Sequence, residues 1–357
     1  MIRYTLIRSV WIFIVLFVVL SINFTLLRLA PQFPPPDEDA RSLYYERQVH
    51  DGMFSVRVED DPEQMQAIMD GEVDLPDSSY VFREPSAADV QRLRIYEPVP
   101  IPQQYASWVD NIVTEWNWGT DYTNTPVFEV LQRAIPVTVM LNVFALIFYI
   151  PVGFTLGIIA ALKKNSTTDN AISFSVMVFI SVPSFVIMTL LILVFGYQLD
   201  WLPTRYYASD ITGFIPRLRA FILPVLGSSF GALAGLTRTT RAELTEVLTS
   251  EFLLLARTKG LTRPQAVVRH AMRNSMVPLV PGIIASFVGL LSGSVVIEEI
   301  YSIPGTGRIF VQAIRRNDFN LALGVTAFYT TISLVSVLFV DLSYGLVDPR
   351  IRMGARK

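Results

Sequence analysis

Six long stretches without a charged residue limit what this chain can fold into. They contain no Asp, Glu, Lys or Arg and hold 19, 29, 30, 18, 24 and 22 residues. In chain order they are residues 9–27, 134–162, 170–199, 220–237, 274–297 and 319–340. A helix of about 20 apolar residues spans the hydrocarbon core of a bilayer. The pattern therefore predicts an all-α membrane protein with six transmembrane helices, of which 220–237 is the shortest.

The overall composition excludes several classes of function. The chain is 52% hydrophobic and 17% charged, which is too apolar for a typical soluble domain of 357 residues. A formal net charge of −2 gives no support for nucleic-acid binding. Cysteine is absent, and His50 and His270 lie too far apart in sequence to form a histidine-rich metal site by themselves. We expect no catalytic, cofactor-binding or metal-ligating residue in the chain.

The first run, residues 9–27, is either a secretory signal peptide or an uncleaved transmembrane helix. It lacks a good small-residue cleavage site, and Arg28-Leu29-Ala30-Pro31 follows directly. An uncleaved helix is the preferred interpretation.

The Lys and Arg residues of the connections predict the orientation. With the N-terminus inside, the inner segments are 1–8, 163–169, 238–273 and the tail from 341. They carry 15 of the 29 basic residues, and short basic connections stay on the cytoplasmic side. Both termini are therefore predicted to be cytoplasmic.

The outer segment between the first two predicted helices, Pro31 to Arg133, is acidic. It contains 20 Asp and Glu residues against seven Arg and no Lys. It is either a solvated loop or a docking surface for an extracytoplasmic partner, and charge alone favours the loop. Several aromatic residues near its end indicate ordered structure: Tyr105, Trp108, Trp116, Trp118 and Tyr122.

Glycines recur at four-residue spacing in the predicted helices. Examples are Gly153–Gly157, Gly227–Gly231–Gly235 and Gly289–Gly293. Small residues at this spacing let helix backbones approach closely in lipid. Helix packing explains these glycines, and we assign them no substrate role.

The inner segment 238–273 is both basic and apolar. It is long enough for two short helices, and Pro264 suits a helix start. Leu253, Leu254, Leu255 and Leu261 need a covering surface. Either a partner protein or the chain's own helical bundle supplies it.

Part of this segment resembles a known family. Glu251–Leu261, EFLLLARTKGL, is similar to the cytoplasmic coupling loop of binding-protein-dependent ABC importer permeases of the oligopeptide/dipeptide/nickel branch. The stretch RHAMRNSMVP at 269–278 resembles the exit of that loop into the next helix. Further matches follow the family's order: LRLAP at 27–31, AALKKN at 160–165, VPSF at 182–185, EEIYSIPGTGR at 298–308 and DLSYGLVDPRIR at 341–352. The matches cover residues 1–32 and about 84–352, and they look most like the oligopeptide-type first (B-type) permease.

The resemblance implies a type I ABC importer permease in the inner (cytoplasmic) membrane. The implied partners are a second homologous permease, two ATPase subunits that bind ATP and Mg, an extracytoplasmic substrate-binding protein, the lipid bilayer and a peptide substrate. Gly260 would permit close approach of the ATPase, because a side chain there would stand in the way. The implied ATPase-coupling residues are Glu251, Leu255, Ala256, Arg257, Lys259, Gly260 and Leu261.

The chain is predicted to have four parts. They are an N-terminal helix at 1–30, the outer segment at 31–133, a five-helix core at 134–347 and a cytoplasmic tail at 348–357. The core contains the coupling loop, and 251–264 is its contact region. Residues 33–82 exceed what the family leads us to expect and are interpreted as an insertion.

Competing functions lack their motifs. G-x-x-x-x-G-K-[ST], G-x-S-x-G and H-E-x-x-H are all absent, so the chain is not expected to be an enzyme. None of the six runs contains an acid, which argues against an ion-coupled secondary transporter, and Glu298, Glu299 and Asp341 lie at predicted helix ends. A membrane-anchored sensor would carry an output domain that this sequence lacks. Nickel or another small solute remains the alternative to peptide, and the substrate-binding residues are not identified.

Overall fold

The computed structural model describes residues 2–30, 34–84, 92–206, 213–289 and 293–347. The backbone divides into two compact units. One comprises Met1–Leu16, Leu131–Arg315 and Ala327–Lys357, and the other comprises Phe17–Val130 and Arg316–Thr326. In their described parts, the first unit is helical and the second combines helices with a three-stranded sheet.

Among the described residues, five helices are long and apolar enough to cross a membrane, and a bent pair supplies a sixth span if it is counted as one. These findings confirm the predicted helical membrane architecture, whereas the β-sheet in the outer segment was not predicted. The five helices are α1 (Ile2–Leu29), α5 (Val127–Leu162), α8 (Phe214–Leu248), α11 (Met272–Val288) with the π-helical turn before it, and α14 (Phe319–Val347).

The third predicted span, residues 170–199, is broken rather than continuous. Helix α6 (Thr167–Ser181) and helix α7 (Ser184–Leu191), which continues as a π-helix to Gln198, meet at an angle of 101°. Pro183 has no backbone N–H, and its ring disfavours a helical conformation at the residue before it. Val182 accordingly has φ −86° and ψ 125°. The prediction of a single helix here was wrong because it counted apolar length and passed over this proline.

The C-terminal ends of helices α8 and α11 differ from the ends of their charge-free runs. Helix α8 continues through residues 238–248, whereas the charge pattern predicts an inner connection there. Helix α11 ends at Val288, and the last residues of its run begin a short helix, α12 (Val295–Ile300). A charge-free run shows which residues can lie in lipid. A helix can extend beyond such a run, because charged residues such as those in 238–248 also form helices.

The core of the helical unit lies between α5, α7, α8 and α12. Leu141, Met188, Phe221, Leu223 and Tyr301 are almost completely buried there. The chain then turns from α12 into α13 (Thr306–Arg315), which precedes α14.

Two of the spaced glycines bring α5 and α8 together. A Cβ atom on Gly157 would lie 2.6 Å from the Cβ of Thr240, and the Thr237 hydroxyl donates to the Gly153 carbonyl oxygen at 3.1 Å. Helix packing therefore accounts for Gly153 and Gly157. By contrast, a Cβ on Gly231 or Gly235 would meet no other atom of the described chain within 4 Å.

The other unit contains most of the predicted acidic segment. Its elements are α2 (Glu38–His50), β1 (Phe54–Glu59), α3 (Pro62–Met69), β2 (Tyr80–Glu84), β3 (Arg92–Pro98) and α4 (Ile101–Glu115). The antiparallel sheet has the order β1-β3-β2, and Tyr96 of the central strand pairs with both Val56 and Tyr80. Strand β3 lies after the predicted insertion 33–82, so the sheet uses residues from both sides of that boundary.

A small apolar core and a set of aromatic rings hold this unit together. Ile68 of α3 packs with Leu93 and Ile95 of β3 in one buried cluster, and the rings of Tyr45 and Tyr80 stack at 4.6 Å. Tyr105 and Trp108 of α4 pack on the ring of Phe24, at centroid distances of 5.4 and 5.1 Å. The aromatic-rich end of the segment is ordered, as its composition indicated.

Candidate functional site

The predicted coupling residues lie on a short helix between α8 and α11. Helix α8 ends at Leu248, and the hydroxyl of Ser250 donates to the Val247 carbonyl oxygen at 2.6 Å. Helix α9 then runs from Glu251 to Thr258. Helix α10 (Arg263–Ala266) follows and passes through the π-helical turn Val267–Ala271 into α11. The structure thus brings residues 251–261 together on one helix and the turn after it.

One face of α9 is anchored to the chain's own helices. Leu253 is 5% exposed and Ala256 is 8% exposed, three residues apart on the same side of the helix. Leu253 packs in a cluster with Ala161 of α5, Leu244 of α8 and Ala266 of α10. This face fixes the position of α9 without help from a partner.

The opposite face of α9 is open. Leu254 and Leu255 are 62% and 56% exposed, and Glu251 and Thr258 are exposed on the same helix. Two adjacent leucines at this exposure leave an apolar surface in the connection between two membrane-spanning helices. The sequence does not distinguish Leu253, Leu254 and Leu255. In the structure Leu253 is buried and the other two leucines are exposed.

The turn after α9 explains Gly260 and Leu261. Gly260 has φ +94°, a left-handed conformation that strains any residue with a side chain. A Cβ there would meet nothing within 4 Å, so the backbone and not crowding within the chain requires glycine. Leu261 N–H donates to the Ala256 carbonyl oxygen at 3.4 Å, and the Leu261 side chain packs against the anchoring cluster. The partner-contact role given to Gly260 stays a prediction.

The remaining predicted residues divide by position. Lys259 is exposed beside Gly260, whereas the side chain of Arg257 lies outside the described part of the chain. Leu254 is not among the implied coupling residues, although it is one of the four leucines that the sequence predicts to need a covering surface. Its spacing from Leu253 and Ala256 identifies the exposed face only when one knows which of these residues is buried.

One acidic residue from the predicted helix ends is completely buried. Glu298 of α12 is 0% exposed, and its carboxylate accepts from the backbone N–H groups of Gly307 and Arg308 at 2.7 and 3.0 Å. The Thr138 hydroxyl donates to its other oxygen at 3.0 Å. Because the chain's own donors already occupy both oxygens, Glu298 serves to hold the start of α13. No group of three or more His, Asp or Glu side chains suited to a metal ion occurs among the described residues.

Comparison with known proteins gives a consistent answer. The family described as the inner membrane component of binding-protein-dependent transport systems matches residues 153–353. A dipeptide transport system permease protein of Lactococcus lactis subsp. cremoris is 38% identical over 256 residues, which are 71% of this chain and 82% of that protein. A dipeptide permease protein of Bacillus subtilis is 34% identical, over 71% of this chain and 80% of its own length. An oligopeptide permease protein of Salmonella typhimurium is 32% identical, with 71% and 81% covered.

Proposed function

The chain belongs to the inner-membrane components of binding-protein-dependent transport systems, and we propose that, as a permease subunit of an ABC importer, it forms half of a pathway for peptides. An extracytoplasmic binding protein delivers the peptide. A second, homologous permease forms the other half of the pathway. Two ATPase subunits bind ATP and Mg and supply the work.

Peptides are the favoured substrate because of the relatives. The three relatives described above are named as dipeptide or oligopeptide permeases, and each aligns over 71% of this chain. That breadth supports a shared pathway rather than a shared local motif. In this proposal residues 33–82 form an insertion in the outer segment, and the tail 348–357 lies in the cytoplasm.

The observation that carries the coupling role is the open face of α9. Removing a leucine side chain from water stabilises an interface by roughly 1.5–3 kcal/mol, so Leu254 and Leu255 together favour a covering partner. Charged residues at the rim, such as Glu251 and Lys259, contribute about 0–1 kcal/mol each. We assign this face to the groove of a cytoplasmic ATPase subunit.

The position of α9 also suits transmission of movement. It is joined directly to α8 and, through α10, to α11, and both of these helices are long enough to cross the membrane. Closure of the ATPases on ATP would shift α9, and the two attached helices would carry that shift into the pathway. Both chain termini lie on the same, cytoplasmic side in this proposal.

The test replaces both open leucines by aspartate. In a tagged Leu254→Asp/Leu255→Asp chain, we expect at least a tenfold loss of co-purified ATPase subunit, while the second permease is still recovered. Gly260 is less suitable, because its positive φ would strain any variant whether or not a partner binds there.

Leu43→Asp is the matched control, since Leu43 is 68% exposed and belongs to α2 of the other unit. Full recovery of the ATPase with the double variant would contradict the coupling role. For the substrate, ATP hydrolysis by the purified importer should rise with binding protein loaded with peptide. Stimulation only by binding protein loaded with nickel would assign the chain to the alternative solute.

A further inference from the structure

A polar pocket of about 260 Å³ lies in the unit formed by residues 17–130 and 316–326. The C-terminal end of α1 and helix α4 contribute Arg28, Gln104 and Trp108 to its lining. The end of α2 and the start of α14 contribute Asp51 and Asn320. One water needs only about 10–15 Å³ of such space, so the pocket accommodates a much larger group.

Arg28 is a buried cation whose hydrogen bonds are incomplete. The residue is 9% exposed, and its Nη2 atom donates to the Asp51 carbonyl oxygen at 3.4 Å. Nε and Nη1 have no acceptor among the described residues. The rings of Phe24 and Phe319 lie 5.1 and 5.8 Å from the guanidinium carbon and hold the group in place. Buried N–H groups of a charged side chain strongly favour an acceptor.

The carboxylates of Asp51 and Asp318 have other partners. Asp51 accepts from the Asn320 amide at 2.9 Å and lies 3.7 Å from Arg47. Asp318 lies 3.4 Å from Arg47 and accepts from the Tyr122 backbone N–H at 2.7 Å. Arg28 therefore donates a hydrogen bond only to a backbone oxygen, and its Nε and Nη1 groups remain available to an incoming anion, although the Asp51 carboxylate attracts its charge.

Two further residues of the lining carry buried polar atoms that could orient a bound ligand. The indole N–H of Trp108 and the Oε1 oxygen of Gln104 are buried without hydrogen-bond partners in the described chain. The Gln104 amide nitrogen donates to the Val99 carbonyl oxygen at 2.7 Å, which fixes Oε1 as the free end. The residues that line the pocket thus carry N–H donors for an anion and one acceptor for a neighbouring N–H.

We propose that this pocket binds the terminal carboxylate of a short peptide. A peptide end carries a carboxylate beside an amide N–H, which matches the donors of Arg28 and Trp108 and the acceptor of Gln104. An acidic side chain of a docked protein presents the same carboxylate from another source. The assignment to peptide rests on the proposed function, whereas binding of a carboxylate does not.

The test is equilibrium dialysis of the purified full chain with labelled tri-alanine, in either its free-acid or its C-terminal amide form. We expect the acid to bind at least tenfold more tightly than the amide. Arg28→Gln should abolish the preference, whereas Arg94→Gln should keep it, because Arg94 forms a surface ion pair with Glu46 at 2.7 Å. Equal binding of acid and amide to the wild-type chain would overturn the proposal, as would an unchanged preference in folded Arg28→Gln.

A second probe identifies the source of the carboxylate. Acetyl-Ala-Glu-Ala-amide has blocked ends and a side-chain carboxylate only. If this probe binds more weakly than tri-alanine, the ligand is a peptide terminus. If it binds more tightly, the ligand is instead an acidic side chain of a partner protein. If Arg28→Gln does not fold, Trp108→Phe keeps the ring, removes the N–H and should reduce the preference several-fold. No ATPase is present in this assay, so its failure leaves the coupling test on α9 unaffected.

Discussion

Glu298 and Glu299 are neighbours with opposite surroundings. Glu298 is buried and accepts hydrogen bonds from two backbone N–H groups and a threonine hydroxyl. Glu299 is partly exposed and pairs with Arg315 at 2.8 Å. Substituting each residue in turn therefore compares the stability contributed by a buried anion at the start of a helix with that of a surface ion pair.

We expect Glu298→Gln to lower the free energy of unfolding by about 1–3 kcal/mol, because a neutral amide oxygen accepts from the Gly307 and Arg308 N–H groups more weakly than a carboxylate does. Glu299→Gln should lower it by about 0–1 kcal/mol. Thermal or denaturant unfolding of the two purified variants measures the difference. An equal effect of the two substitutions would show that the burial of Glu298 does not matter for stability.

At the scale of elements, close approach of helices and breaks within them decide how the membrane-spanning part is arranged. Helices α5 and α8 meet where Gly153 and Gly157 leave room, and the hydroxyl of Thr237 joins the two backbones. Asp169 in the first turn of α6 and Arg241 of α8 form a two-point ion pair at 2.6 and 2.8 Å. The Val182–Pro183 break redirects the chain between α6 and α7.

Gly157→Val should destabilise the α5–α8 contact by roughly 1–3 kcal/mol, the usual range for overpacking a filled site. The added Cβ would lie 2.6 Å from the Thr240 Cβ and 2.9 Å from the Thr237 carbonyl oxygen. Gly231→Val is the matched control, because a Cβ on Gly231 meets nothing within 4 Å. The unfolding midpoint of the purified chain in detergent is the measurement, and identical midpoints would refute the contact.

At the scale of the whole molecule, the chain combines membrane-spanning helices with an acidic unit that has its own sheet and core. Within that unit, burial raises the pKa of the Asp51 carboxyl above its ordinary value of 3.8, although Arg47, Arg28 and His50 act in the opposite direction. Between the ordinary value and the raised one, the folded state binds more protons than the unfolded state. The free energy of unfolding of this unit therefore rises as the pH falls through the raised pKa, and the rise ends near pH 3.8.

Asp51→Asn should remove that contribution. We expect the variant to be more stable than wild type at neutral pH and the gap to close on acidification towards 3.8. Unfolding followed by tryptophan fluorescence suits the measurement, because Trp108, Trp116 and Trp118 all belong to this unit. Asp70→Asn, at an exposed site beyond α3, controls for the change of side chain. A gap that does not change with pH would contradict the assignment to Asp51.

The sequence by itself determined where the membrane-spanning regions lie and which family the chain belongs to, and it predicts the position of the coupling segment. Charges are costly in hydrocarbon, so charge-free runs locate the spans whatever the packing. The motif EFLLLARTKGL likewise located the helix that became α9. The other family motifs, which occur in the family's order, extended the resemblance to most of the chain.

Only the tertiary structure decided which side of each element is buried. Leu253, Leu254 and Leu255 are chemically identical, and contact with Ala161 and Leu244 alone makes the first an anchor and leaves the others open. Glu298 became buried, and Arg28 came to line a pocket with Asp51 and Asn320, through contacts between residues far apart in the sequence. Hydropathy and motif order record what each residue tolerates, whereas burial and pairing depend on which distant segment packs against it.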